Sequence, residues 1–174
     1  MSASLTNEYL ARKVSRAKWE PCEYITQGGI RADAITGCLR TKDDTLSLWQ
    51  CQNIEDDITE VVLALSTAME RLDTINIVLL DRENLGSNGV SLQETPGNTP
   101  VAELCSRHID IVNLDMSRLC IVANHVASKI RNNADCYTFT KTQIRKLLCK
   151  AIQEQRLKID DLKNKLKTEV QQHL

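Results

Sequence analysis

The run Phe139-Thr140-Lys141-Thr142-Gln143-Ile144 constrains the fold of this chain more than any other six residues. Thr140 with Gln143 three positions later is a capping box, in which each side chain bonds the other residue's free backbone amide. Phe139 and Ile144 occupy the two positions of a hydrophobic staple. A helix therefore begins here, at a fixed angle to the chain before it. Ile144, Leu147, Leu148, Ala151 and Ile152 recur at helical spacing and give that helix one apolar face. After a break near Gln155–Lys158, Ile159, Leu162, Leu166, Val170 and His173 repeat at spacings of three and four, the seam of a second helix that packs on one partner helix. Residues 138–174 thus read as a helical hairpin, packed on the rest of the chain or on a partner.

Charge sets the same segment apart. From Phe139 onward nine basic residues face four acidic ones, a local net of +5, whereas Pro21–Tyr137 carries nine basic and seventeen acidic residues, a net of −8. Met1–Glu20 adds +2, so the overall charge of −1 conceals an acidic body with basic ends. Such asymmetry belongs to a chain that meets a macromolecule, or its own partner subunit, through one end. Three readings follow. The basic surface is the solvated outer face of helices covering the chain's own core. Or Ile159, Leu162, Leu166 and Val170 are partner-binding residues that dock on another chain. Or Lys141, Arg145, Lys146, Lys150, Lys163 and Lys167 contact nucleic acid by neutralising phosphates. The near-neutral total charge and the scarcity of aromatic rings (one Phe, two Trp, three Tyr) count against a dedicated nucleic-acid binder.

Upstream, the periodicity predicts an α+β domain over residues 1–137, a small mixed sheet with packed helices. Glu8–Trp19 fits helix and strand about equally, with strand preferred. Ala34–Arg40 and Leu46–Cys51 flank a polar turn, as a hairpin or as a short helix followed by a strand. Asn53 caps a helix over Ile54–Leu72 whose first turn holds Glu55, Asp56 and Asp57, where the helix dipole favours negative charge. Ile75–Leu80 reads as a buried strand, Asp81–Pro100 as a long loop, and Thr99-Pro100 as the start of a short helix. Ile109–Leu114 is a second strand, Asp115 caps a helix with the stripe Met116, Leu119, Cys120, Ala123, Val126, Ala127 and Ile130, and Cys136–Phe139 is a last short strand.

Little in the sequence points to catalysis. Cys105 and His108 with Cys120 and His125 have metal-like spacing, but residues five apart on a regular helix diverge, so no metal site and no cofactor is expected. Asp81 and Glu83 follow a strand, where α/β proteins place functional groups, and with His108 they could serve a small hydrolase or nuclease. Ordinary loop charge is the simpler account. Pairings of Cys105 or Ser106 with His108 or His125 as nucleophile and base have no support beyond proximity in sequence. Gly86-Ser87-Asn88-Gly89 lacks the spacing of a phosphate-cradling loop.

Seven widely spaced cysteines, an odd number, suit a reducing cytoplasm better than a disulfide framework. Met1–Leu10 lacks the basic start and apolar run of a secretory leader, and no stretch is apolar enough to span a membrane. The expectation is a cytoplasmic, non-catalytic accessory or adaptor protein that binds a protein partner or itself through its C-terminal helices. The alternative is a nucleic-acid-binding regulator that uses the basic surface of those helices.

Overall fold

The computed structural model describes residues 8–21 and 28–174. Six strands form one sheet: β1 (Tyr9–Val14), β2 (Leu46–Cys51), β3 (Ile75–Asp81), β4 (Ser91–Glu94), β5 (His108–Val112) and β6 (Cys136–Phe139). Their order is β4-β5-β2-β1-β3-β6, and every neighbouring pair is antiparallel, so the α+β fold carries a uniformly antiparallel sheet in place of a mixed one. Helices α1 (Ala32–Cys38), α2 (Ile54–Thr67), α3 (Arg82–Ser87), α4 (Met116–Arg131), α5 (Lys141–Gln153) and α6 (Asn164–Gln171) cover both faces.

Strand periodicity divides the core in two. Ala11, Trp49, Cys51, Ile75, Ile77 and Leu79 point to a first core closed by α2, α5 and α6, while Leu10, Val14, Leu46, Leu48, Val78, Leu80, Ile109 and Ile111 point to a second core closed by α1, α3 and α4. Strand β3 is apolar on both faces over Ile77–Leu80 and β1 over Leu10-Ala11, because both faces are covered there. Each core holds one tryptophan, Trp49 in the first and Trp19 in the second. Gly97 passes so close to Trp49 that a Cβ there would sit 2.8 Å from the indole and 2.9 Å from the Cβ of His108.

Where a cap is local, the elements start where the sequence places them. Asn53 accepts from the Glu55 amide, Asp115 from the Arg118 amide, and Thr140 and Gln143 form the complete capping box, with Phe139 packed against the core that holds the buried Ile144. Glu8–Trp19 supplies strand β1, and Ala34–Cys51 resolves into helix then strand.

Other expectations are corrected. Helix α2 ends at Thr67, five residues early, because the Ser66 and Thr67 hydroxyls bond the Leu63 and Ala64 carbonyls and compete for the helix's own acceptors. The expected loop Asp81–Pro100 contains α3 and β4, both too short to show a period. The helix expected at Thr99 is a 3-10 helix at Ala102–Arg107, since the Thr99 hydroxyl accepts from the Val101 amide and lies 3.3 Å from that of Thr67. On α4 the buried stripe is Val122, Ala123, Val126, Ala127 and Ile130, with Met116 72% exposed and Cys120 exposed. The last helix begins at Asn164; before it, Ile159–Asp161 is a 3-10 turn, in which residues three apart eclipse, so Ile159 and Leu162 share a side.

No helix among the described residues is long and apolar enough to cross a membrane.

Candidate interaction surfaces and a polar cleft

The C-terminal seam faces inward. Leu162, Leu166 and Val170 are buried in the first core with Leu157, Ile144 and Leu148, and Ile159 is half-buried. Leu162, Leu166 and Val170 pack on their own chain, so a partner reaches Leu166 and Val170 only if α6 lifts away, and the docking role expected of these three is corrected to a core role; Ile159, half-buried in the 3-10 turn, lies outside that cluster. The hairpin period showed that one face would be covered; α6 packs on α5, and α5 on α2.

The basic surface is matched to the acidic body. Arg156, just after α5, donates through Nε to Glu103 at 2.6 Å and through Nη1 to Glu60 of α2 at 3.2 Å. These bonds, that to Glu60 first, hold its guanidinium pKa above the ordinary value against the opposing effect of burial. Lys163 pairs with Glu70 and Lys141 lies 3.9 Å from Asp73, both acids in the α2–β3 connection. Lys150 and Lys167 pair with Glu154 and Asp160 inside the C-terminal segment. Four of the six residues expected to meet phosphates thus have a carboxylate neighbour. Arg145 donates to His173 Nε2 at 2.9 Å, and the exposed Lys146 has no acidic partner among the described residues. Nearby, Arg107 binds Asp57, whose carboxyl is pushed up by burial but held lower on balance by the Asn53 and Gln52 amides and by Arg107. A charged hollow of about 500 Å³ lies among these groups, with Glu60, Glu103, Arg107, Lys150 and Arg156 on its walls.

The acids and histidines sort differently from their expected grouping. His108 sits on β5, with β2 and β1 between it and Asp81 on β3, so Asp81, Glu83 and His108 do not form one site. Its Nδ1 lies 2.8 Å from the Thr95 hydroxyl, which donates to Asp110 at 2.8 Å; Asp110 also accepts from Ser47 at 3.0 Å. With Trp49 edge-on to the imidazole at 5.2 Å, His108 is a largely buried structural histidine; its amide donates to the Cys105 carbonyl, and its imidazole bonds neither the Cys105 thiol nor the Ser106 hydroxyl.

The histidine beside Asp81 and Glu83 is His125. It projects from α4 into two adjoining hollows of about 460 and 400 Å³ between α3 and α4, with Asn84 and Lys129 shared by both. Its Nδ1 is buried and has no hydrogen-bond partner. Burial, with help from Lys129 and against Asp81 and Asp135, lowers its pKa, so it is neutral at physiological pH. The cleft's other charges are engaged: Asp81 caps α3 by accepting from the Asn84 amide at 2.8 Å, and Lys129 binds Asp135. Among the described residues lining the cleft, Glu83 and His125 are the ionisable side chains outside these pairings. His125, weighed in the sequence only beside Cys105, Ser106 and Cys120, was not grouped there with Asp81 and Glu83; its signal was the polar face Asn124, His125, Ser128 and Lys129 of its helix.

Among the described residues no group of three or more His, Cys, Asp or Glu side chains is placed to hold a metal. Cys105 lies in the 3-10 helix on one side of the sheet and Cys120 on α4 on the other. The six described cysteines are free thiols; burial pushes Cys51 up to about 11, with Asp57 adding to the rise and Arg107 opposing it.

The two sheet edges differ. The Leu79 amide donates to the Asp135 carbonyl at 2.9 Å and the Arg82 amide to the Glu8 carbonyl at 3.1 Å, so odd-numbered residues of β3 bond toward β6 and even-numbered ones toward β1. In the antiparallel alternation Tyr137 and Phe139 therefore turn their main chain toward β3, while Cys136 and Thr138 turn theirs off the sheet. Among the described residues no strand pairs with that side. Edge β4 ends in the exposed Glu94 with Pro96 just beyond, two devices that discourage strand addition; β6, Cys-Tyr-Thr-Phe, contains neither a charge nor a proline.

Comparison with known proteins gave no matching family model, no matching curated protein and no matching solved structure.

Proposed function

We propose that this protein is a non-catalytic accessory or adaptor protein that acts through protein–protein contact, with the free edge of β6 as the contact element. The observation that carries this reading is the outward main chain of Cys136 and Thr138 on an edge strand without charge or proline. An extended segment adds to such an edge through main-chain hydrogen bonds, with side-chain pockets on alternate residues giving selectivity. Tyr137 and Phe139, half-buried on the first-core face, supply those alternate contacts. The C-terminal hairpin contributes by holding that face of the sheet rigid. Free thiols at six cysteines support the cytoplasmic part of the reading.

A matched pair of edge prolines tests it. Thr138→Pro and Glu94→Pro each remove one outward-facing amide, from β6 and β4 respectively, and proline is tolerated at such positions. With the tagged full chain as bait in a native lysate, Thr138→Pro abolishes partner capture and Glu94→Pro does not, both variants keeping the parent's far-ultraviolet dichroism. Capture that survives Thr138→Pro, or that disappears with nuclease treatment and with Lys141→Glu plus Lys146→Glu, overturns the reading in favour of nucleic acid.

A further inference from the structure

The partner that fits the β6 edge best is a second copy of the chain. We infer that two copies pair antiparallel through β6 about a two-fold axis at Tyr137, joining two six-stranded sheets into one; this inference rests on the edge reading above. The argument is one of register. Only residues whose main chain faces outward can exchange hydrogen bonds with an added strand, and on β6 these are Cys136 and Thr138. A two-fold antiparallel pair can be centred on Cys136, Tyr137 or Thr138. Centring on Thr138 asks Cys136 to bond Thr140, whose amide already donates to Gln143 Oε1 at 2.8 Å in the capping box. Centring on Cys136 asks Thr138 to bond Ala134, across Asp135, whose φ of 51° has turned the chain out of strand conformation. Centring on Tyr137 pairs Cys136 of each copy with Thr138 of the other and engages every outward group of both strands.

That register has a further consequence for side chains. Tyr137 becomes a non-hydrogen-bonded pair with its own copy, the arrangement that brings side chains closest, and aromatic pairs are among the favourable ones across strands. Both rings lie on the same face of the joined sheet, beside Phe139 and the first core. Neither strand contributes a charge, so the two-fold opposes no like charges within the paired segment. The four-residue contact is short, which makes this a reversible association that grows with concentration.

Cysteine cross-linking reads the register directly. In the Tyr137-centred pair the two Tyr137 Cα atoms are about 4.5 Å apart, within the range a disulfide spans. Full-length Tyr137→Cys under mild oxidation is expected to give a covalent dimer whose bond maps by mass spectrometry to residue 137 of both copies, and the wild-type chain is expected to approach twice its monomer mass in sedimentation equilibrium as concentration rises. Thr138→Lys, a change at an exposed position, is expected to abolish both signals with the fold intact. A wild-type chain that stays monomeric at every concentration overturns the inference, as does a disulfide mapping to Cys120 or another existing thiol in place of position 137. If the chain is monomeric yet lysate capture is lost in Thr138→Pro, the edge reading stands with a different partner; if capture also survives that variant, both fall.

Discussion

Helices α2, α5 and α6 on one face of the sheet are tied together by carboxylate pairs, whereas on the other face, beside the Lys129–Asp135 pair from α4, arginines that donate to backbone carbonyls tie down the segments of α1, α3 and α4. On the first face Arg156 reaches Glu60 and Glu103, Lys163 reaches Glu70 and Arg107 reaches Asp57. On the second, Arg12 donates to the Cys38 carbonyl at 2.7 and 3.0 Å and to that of Ser47, Arg118 to Gly89 at 3.0 Å, and Arg131 to Gly28 and Gly29 at 2.8 and 2.9 Å. The difference explains the charge asymmetry of the sequence. The acidic body and the basic C-terminal segment are two halves of one layer, and each neutralises part of the other. A charged stripe on an amphipathic helix therefore says nothing by itself about an external partner.

The largest expected effect is on the apolar part of the first layer. Leu166→Ala removes a fully buried side chain and should destabilise the fold by about 2–5 kcal/mol. In denaturant titrations of Trp19→Phe and Trp49→Phe backgrounds, each leaving one tryptophan to report on one core, the midpoint should fall equally for both reporters. A fall confined to the Trp49 signal would mean that the two layers unfold separately. Next in size is the cap. Thr140→Ala should cost about 0.5–2 kcal/mol, with faster amide exchange over residues 141–146, and unchanged protection there would show that the capping box does not hold α5.

Salt separates the two kinds of tie. A double-mutant cycle on Glu60 and Arg156 should give a coupling of roughly 0.5–1 kcal/mol at low ionic strength, shrinking in 1 M salt because the pair is partly exposed. The effect of Arg131→Ala, which loses bonds to neutral carbonyls, should depend less on salt. Equal salt sensitivity in the two experiments would erase the distinction. The smallest effect is on pH. The folded-state pKa of His125 lies below its unfolded value of about 6.5, so the unfolded chain binds the extra proton and the contribution to stability is lost as pH falls below that value. His125→Gln should flatten stability between about pH 7 and 5 relative to the parent, as thermal melts across that range would report.

Local chemistry made much of the fold legible. Asn53, Asp115 and Thr140 mark helix starts through contacts within three residues, and β3 announces itself as an apolar run. The sheet order was not legible, because β3 pairs with β1 and β6 from opposite ends of the chain and a strand's sequence does not name its neighbours. Helix α3 and strand β4 hid in an expected loop because six and four residues are too few for a period. Regarding sites, the spacing of Ile159, Leu162, Leu166 and Val170 showed one face to be covered and left open by what; Leu162, Leu166 and Val170 are covered by their own chain. Grouping Asp81 and Glu83 with His108 failed because the fold brings up His125 from α4, while the edge of β6, unpaired among the described residues, is a property of sheet order alone.

Whether the C-terminal seam belongs to the fold or waits for a partner is the question on which the account turns, and native-state amide exchange answers it residue by residue. In the full-length chain the buried amides of Leu166 and Val170 should exchange only through global unfolding, with the same free energy and denaturant dependence as those of Leu10 and Leu80 in the central strands. Exchange at residues 162–170 that is orders of magnitude faster and insensitive to denaturant, with β1 and β3 still protected, would mean that α6 detaches on its own, and it would return Leu162, Leu166 and Val170 to the role of a docking surface.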